Sequence, residues 1–201
     1  MPRRRASWVL GTLGLAALGL VFPNTASAQW SIFSELELGV LAHDVPVLGS
    51  RKESGADLNG ELRFVSPVPE SLVSGIAPPF RWMLTPRPNI GGSVNTSGYT
   101  SQFYFGLTWT AELFKDVFRP EDGVFFGIGF GPAFNNGHIS TISPSHKSLG
   151  SNVLFHPSLE LGYRFDRPYS IEMYWDHSSN AGLATKNEGL NNLGIRFGIR
   201  F

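Results

Sequence analysis

The sequence predicts an all-β protein, an eight-stranded antiparallel up-and-down transmembrane β-barrel over residues 29–201. Three observations lead there. Short segments of alternating apolar and polar residues recur along the chain, separated by clusters of Gly, Pro, Asn and Ser. The chain opens on a basic head, Arg3-Arg4-Arg5, then an apolar run to Phe22 and the small-residue pattern Ala26-Ser27-Ala28, which predicts a secretory signal peptide over residues 1–28, cut before Gln29. A retained membrane anchor would need a longer apolar run. Finally, 16 Phe among 201 residues coexist with near-neutral mean hydropathy and no Cys, so apolar and polar residues are finely interleaved and no disulfide supports the fold.

The first predicted strand is Glu35–Val40, with Leu36, Leu38 and Val40 on one face and Glu35 and Glu37 on the other. The second is Leu58–Phe64, where Leu58, Leu62 and Phe64 oppose Glu61 and Arg63. The stretch 66–79 is too rich in proline for a central strand and reads as a connection. Phe80–Leu84 is assigned to the third strand, followed by a loop at 86–100. The fourth strand runs from about Ser101, with Phe103, Phe105, Leu107 and Trp109 on one face. Val124, Phe126, Ile128 and Phe130 mark the fifth, and Phe155, Leu159, Leu161 and Tyr163 the sixth. A tight turn at 166–168 leads into the seventh, which starts at Tyr169, and the eighth is Asn192–Phe201.

Alternation alone fits a soluble lipocalin-like barrel as well as a membrane barrel. The export signal, the absence of disulfides and the aromatic C-terminus at the close of an alternating strand favour the membrane. With both termini periplasmic, the connections at 42–57, 86–100, 134–152 and 180–190 fall outside the cell. The length of the 66–79 connection on the other side has no explanation in the sequence. So small a barrel fills its lumen with side chains, here Glu37, Glu61, Arg63, Glu160, Arg164, Glu172, Arg196 and Arg200, whose opposite charges can pair. A transport pore is therefore not expected.

Formal net charge is zero, which gives no reason to expect nucleic acid as a partner. His43, His138 and His146 read as solvated loop residues and His156 as an interior one. None has metal-ligand spacing, and no cofactor is expected. The Gly127-x-Gly-x-Gly131 run lies within a strand and reads as close packing rather than a phosphate cradle. Arg51, Lys52, Lys147 and Lys186 fall in outer loops, where scattered cations seldom do anything specific.

The seventh strand carries the chemistry. His177 and Ser179 share the parity of Ile171, Met173 and Trp175, so they face the lipid at the outer rim. Asn191 has the parity of Leu193 and Ile195 and faces the same way across the hairpin. A serine needs a base to attack a carbonyl, and the base needs a third group to fix its tautomer. Asn180 and the Gly182 N–H are candidates to hold an oxyanion. Taken alone, a His and a Ser at a strand end also suit a polar boundary that merely meets water or headgroups.

The run His177-Ser-Ser-Asn-Ala-Gly-Leu, then Asn187-Glu-Gly-Leu-Asn191 and an alternating terminal strand, resembles the lipid A 3-O-deacylases of the PagL type. The resemblance is concentrated in the last thirty or so residues. It implies an eight-stranded barrel in the outer membrane of a Gram-negative bacterium, hydrolysing the 3-O-linked acyl ester of lipid A (lipopolysaccharide) by a Ser-His acyl-enzyme mechanism. By position Ser179 would be the nucleophile, His177 the general base, and Asn180 and Gly182 the oxyanion residues. The family's pattern has Glu where this chain has Asn191, and Glu188 is the alternative third member. Homodimerisation stays open. The rival expectations are a non-catalytic small barrel, structural or adhesive, and a soluble lipocalin-like lipid binder.

Overall fold

The computed structural model describes residues 32–201 apart from Arg167; the signal-peptide expectation lies outside the described residues. Its strands are β1 (Phe33–Ala42), β2 (Ala56–Phe64), β3 (Arg87–Asn95), β4 (Gln102–Lys115), β5 (Gly123–Asn135), β6 (Val153–Asp166), β7 (Tyr169–Ser178) and β8 (Leu190–Arg200). Each pairs antiparallel with the next, and β1 pairs with β8 to close an eight-stranded barrel. Closure removes both sheet edges, a requirement for a sheet in hydrocarbon, where an unpaired backbone group finds no water. No described helix is long and apolar enough to cross a membrane.

The alternation is inside-out relative to a soluble barrel. Along β7, Ile171 and Met173 are exposed while Glu172, Tyr174 and Asp176 are buried. On β1, Leu38 and Val40 are exposed and Glu35 and Glu37 buried. The exposed belt continues through Phe103, Phe105, Phe130, Leu159, Leu161, Ile195 and Phe197. Lipid, rather than a protein core, is the medium this face fits.

The lumen is filled by an ionic network. Arg63 reaches Glu61 at 2.6 Å and spans Glu160 with both terminal nitrogens. Arg196 binds Glu172, Glu61 and Glu160, and its guanidinium lies 3.6 Å from the Tyr174 ring centre. Arg87 and Arg200 meet Glu35 near the lower end. Gly39 leaves room for the Arg196 stem, since a Cβ there would come within 2.6 Å of Arg196 Cγ. Arg63, Arg196, Glu61 and Glu160 thus each have opposite charges and hydrogen-bond partners around them, the condition under which burial is tolerable. By contrast, both Glu37 carboxylate oxygens lack a hydrogen bond among the described residues, and one lies 3.7 Å from Arg63.

One strand assignment is corrected. Phe80–Leu84 belongs to helix α2 (Pro78–Leu84), which follows α1 (Glu70–Val73), and the third strand is Arg87–Asn95, inside the segment expected to be a loop. Paired prolines at a helix start are compatible with its unpaired N–H groups, and Phe80, Met83 and Leu84 fall at i, i+3, i+4. The Trp109 indole donates to Met83 O, so α2 lies against the outer face of β4. In β3, Pro88 sits one residue beyond the last β2 partner, Asn89. Gly91 faces Tyr104, whose ring would be 2.7 Å from any Cβ there. The upper connection after β3 therefore shrinks to 96–101, while the lower one spans 65–86.

Candidate active site

The upper end of the barrel bears the loops 43–55, 96–101, 136–152 and 179–189. At its rim, β7 and β8 place His177 directly opposite Asn191, a separation at which side chains on one face touch. His177 Nδ1 lies 2.9 Å from Asn191 Oδ1. Asn191 is itself buried, and its Nδ2 donates to Leu48 O at 3.1 Å. A backbone carbonyl can only accept, so this second bond fixes which end of the amide is which. Oδ1 therefore faces the imidazole and takes the proton on Nδ1, leaving the lone pair on Nε2. Among the described residues Nε2 has no hydrogen-bond partner.

The imidazole is confined on two sides. The Trp175 ring stacks beside it, with centroids 6.2 Å apart and planes at 17°. Gly189 lies beneath it: a Cβ there would be 2.5 Å from Cε1 and 3.1 Å from Nε2. Only a residue without a side chain leaves the ring in place, a constraint that the sequence reading missed. The signal was present as a glycine immediately before the last strand.

Ser179 is one residue past β7, yet its backbone stays in the sheet. It exchanges two hydrogen bonds with Phe155, Ser179 N–H to Phe155 O at 3.1 Å and Phe155 N–H to Ser179 O at 2.8 Å. Its side chain is half-buried and its Oγ has no partner among the described residues. Ser178 points the other way, into the lumen, where its hydroxyl donates to Gln102 Oε1. Of the two adjacent hydroxyls, that of Ser178 is engaged and that of Ser179 is not.

The expected oxyanion residues are otherwise occupied in this state. Asn180 is buried and organises the 179–189 loop: Nδ2 donates to Leu149 O and Lys186 O, and Oδ1 accepts from Gly182 N–H at 2.9 Å. The Asn180 N–H donates to Asn187 Oδ1. Ala181, in the left-handed region at φ 53°, has an N–H with no acceptor among the described residues. Glu188, the alternative third member, is held elsewhere. One of its oxygens is 2.5 Å from Lys52 Nζ and the other accepts from Ser148 N–H at 2.8 Å. Those partners keep its carboxyl below the usual range, although burial alone would raise it.

Two loop expectations are corrected. His43 is fully buried, with Nδ1 at 2.9 Å from Asp57 and Nε2 at 3.0 Å from Glu53. Lys147 is also buried, 3.0 Å from Asp44 and 2.6 Å from Ser50 O. With Lys52 paired to Glu188, the exposed loop cations of the original set are Arg51 and Lys186. No cluster among the described residues could hold a metal ion.

Below His177, on the lipid-facing side, runs an apolar groove of about 380 Å³. Its walls are Phe126, Leu161, Met173 and Trp175 from the barrel and Val47 and Leu48 from the 43–55 loop, which folds outward over the rim. The other large cavity, lined by Glu112, Arg164 and Arg200, opens at the opposite end of the barrel.

A family model described as lipid A 3-O-deacylase (PagL) matches residues 75–200, which include β3 to β8 and the whole His177–Asn191 hairpin. Among solved structures, the chain is similar to one described as the crystal structure of the outer membrane enzyme PagL. The identity is 18% and the TM-score 0.62, covering 84% of this chain and 100% of that one. A de novo designed transmembrane β-barrel aligns at 12% identity and TM-score 0.44, over 86% of this chain and 98% of the other. No curated protein sequence matches. The family match spans more than half of the chain and contains the hairpin built above: this protein belongs to the lipid A 3-O-deacylase (PagL) family.

Proposed function

We propose that this lipid A deacylase hydrolyses the 3-O-linked acyl ester of lipid A in the outer leaflet of a Gram-negative outer membrane, through an acyl-enzyme on Ser179. The observation that carries the reading is the His177–Asn191 pair, which leaves an imidazole with a free Nε2 lone pair on the lipid-facing rim, two residues from a serine whose Oγ is unengaged.

The Ser179 hydroxyl attacks the ester carbonyl carbon while Nε2 takes its proton. The tetrahedral intermediate collapses as Nε2 returns that proton to the departing sugar oxygen. Water then attacks the acyl-serine with the same base, releasing the fatty acid and restoring Ser179. Asn191 holds the imidazole in the Nδ1–H tautomer but, being neutral, adds no charge to stabilise the imidazolium. Asn180 and Gly182 serve the oxyanion if the Asn180 N–H exchanges Asn187 Oδ1, and the Gly182 N–H exchanges Asn180 Oδ1, for the substrate; the Ala181 N–H needs no such exchange. The groove below His177 falls within the usual range for ligand sites, and it seats the acyl chain where the bilayer already orients it.

Mass spectrometry of lipid A from cells making the wild type or Ser179→Ala tests this. The wild type should remove one ester-linked acyl chain, at the 3-position, and the variant none. Identical lipid A from two folded proteins would leave the family's fold without its chemistry in this chain.

A further inference from the structure

We propose that the Leu48 backbone carbonyl, acting through Asn191, is a positioning element that sets the tautomer of His177 and ties the acyl groove to the catalytic base. The inference rests on the function proposed above and adds a regulatory contact to that site.

A carboxylate at position 191 would accept from Nδ1–H in either of its symmetric orientations. An amide has one correct orientation and one wrong one, in which Nδ2 would face the imidazole and demand the opposite tautomer. Something must choose, and the only acceptor bound to Nδ2 among the described residues is Leu48 O, at 3.1 Å. The amide is buried, so a bond forgone there would not be replaced by water. The Asn191 amide thus brings a donor that a carboxylate lacks, and Leu48 O is positioned to receive it.

Leu48 belongs to the same tip that walls the groove. The tip hangs between two anchors: Val45 N–H donates to Asn191 O at 2.8 Å on one side, and Lys147 Nζ donates to Ser50 O at 2.6 Å on the other. Asp44 secures the base of the loop by accepting from the N–H groups of Lys52 and Glu53. Between these anchors, Val47 and Leu48 expose their side chains, and Asn191 Nδ2 makes the one side-chain hydrogen bond to the tip among the described residues. An acyl chain in the groove packs on Val47 and Leu48, holds the Leu48 carbonyl against Asn191, and so favours the tautomer that reaction requires. Binding of the chain and orientation of the base are then one equilibrium.

The variant Asn191→Asp separates the two tasks. It keeps an acceptor for Nδ1–H, with added charge, and replaces the donor by an oxygen that repels Leu48 O. The chain has no native cysteine, so a spin label at Val47→Cys reports the tip directly. In refolded barrels, Asn191→Asp should make that label more mobile while a control label at Ser50→Cys is unaffected. KM for a long-chain lipid A should rise about five- to tenfold, the size expected of one lost hydrogen bond, with kcat equal or higher. Leu48→Gly keeps the carbonyl but removes a wall of the groove. Combined with Asn191→Asp it should raise KM by less than the product of the two single effects, because a tip already untied from Asn191 no longer holds the Leu48 side chain over the groove. Unchanged label mobility, or KM effects that multiply independently, would overturn the tie. If the wild type proves inactive on lipid A, the proposed function fails on its own account; the label spectrum then still decides whether Asn191 anchors the tip.

Discussion

Two histidines at the upper end of the barrel, His43 and His177, are placed for opposite purposes. His43 has both ring nitrogens bound to carboxylates, Asp57 and Glu53, and no exposed surface. Burial alone would lower its pKa, but the hydrogen bonds and charges of those carboxylates raise it to about 9, so it is a fixed cation at neutral pH. His177 has one nitrogen bound to a neutral amide and the other free. A histidine bound on both nitrogens to carboxylates cannot take a proton from anything; one fixed on a single side can. The difference separates a ring that holds loops together from a ring able to act as a base, and it lies in the partners, not in burial.

His177→Gln should lower deacylation about 10⁴-fold or more and leave the heat-modifiable mobility of the folded barrel unchanged, as read by electrophoresis. His43→Leu should do the reverse. It leaves Glu53 and Asp57 buried without their cation, a loss of about 3–5 kcal/mol when one partner of a buried pair is removed, measurable by urea unfolding. A His43 variant as stable as wild type would mean that the bridge holds nothing.

Next in size is Gly189→Ala. Its Cβ would meet His177 Cε1 at 2.5 Å, so the ring must move, and displacement of a reacting group by about 1 Å costs up to about 10²-fold. The loss should appear in kcat, with KM little changed. An active Gly189→Ala enzyme would show that the imidazole does not need its present position.

The pH dependence sharpens the contrast further. Because the folded pKa of His43 lies above its ordinary 6.5, its contribution to stability is complete below about 6.5 and is lost as pH rises through about 9. Glu53 behaves oppositely. Its carboxyl, which burial alone would raise, is held at about 2 by His43 and the Lys147 and Thr100 N–H groups, so its contribution is present above about 4.5 and lost as pH falls through about 2. Protease susceptibility of the 43–55 loop should therefore rise between pH 7 and 10 in the wild type, and this rise should be absent from His43→Leu. The smallest effect belongs to Glu188→Ala. It removes a partly exposed pair with Lys52 worth about 1 kcal/mol or less, and deacylation should change less than threefold. A collapse of activity would transfer the third catalytic place from Asn191 to Glu188.

Much of this was legible in the chain. Strands β1, β2 and β4 to β8 announce themselves by period-two alternation, and the same parity puts His177, Ser179 and Asn191 on the lipid side while sending Ser178 inward. β3 was hidden because its inward positions are Arg87, Asn89, Gly91, Ser93 and Asn95, polar groups that bond across the lumen and a glycine that yields to the Tyr104 ring. A run rich in Pro, Asn, Gly and Ser looks like a loop. Phe80–Leu84 misled in the opposite sense, since five residues are too few to distinguish a strand from one helical turn and a half.

Local periodicity determined the barrel and the side of its wall on which the catalytic candidates stand, because alternation depends only on neighbours in sequence. Whether a loop residue is buried, which acceptor orients the Asn191 amide, and which donors near Ser179 remain free depend on segments far away in the chain: Leu48 meets Asn191 and Lys147 meets Asp44. Those decisions belong to the tertiary structure, since hydrogen bonds are satisfied by proximity in space and no pattern within one segment records who will arrive from another.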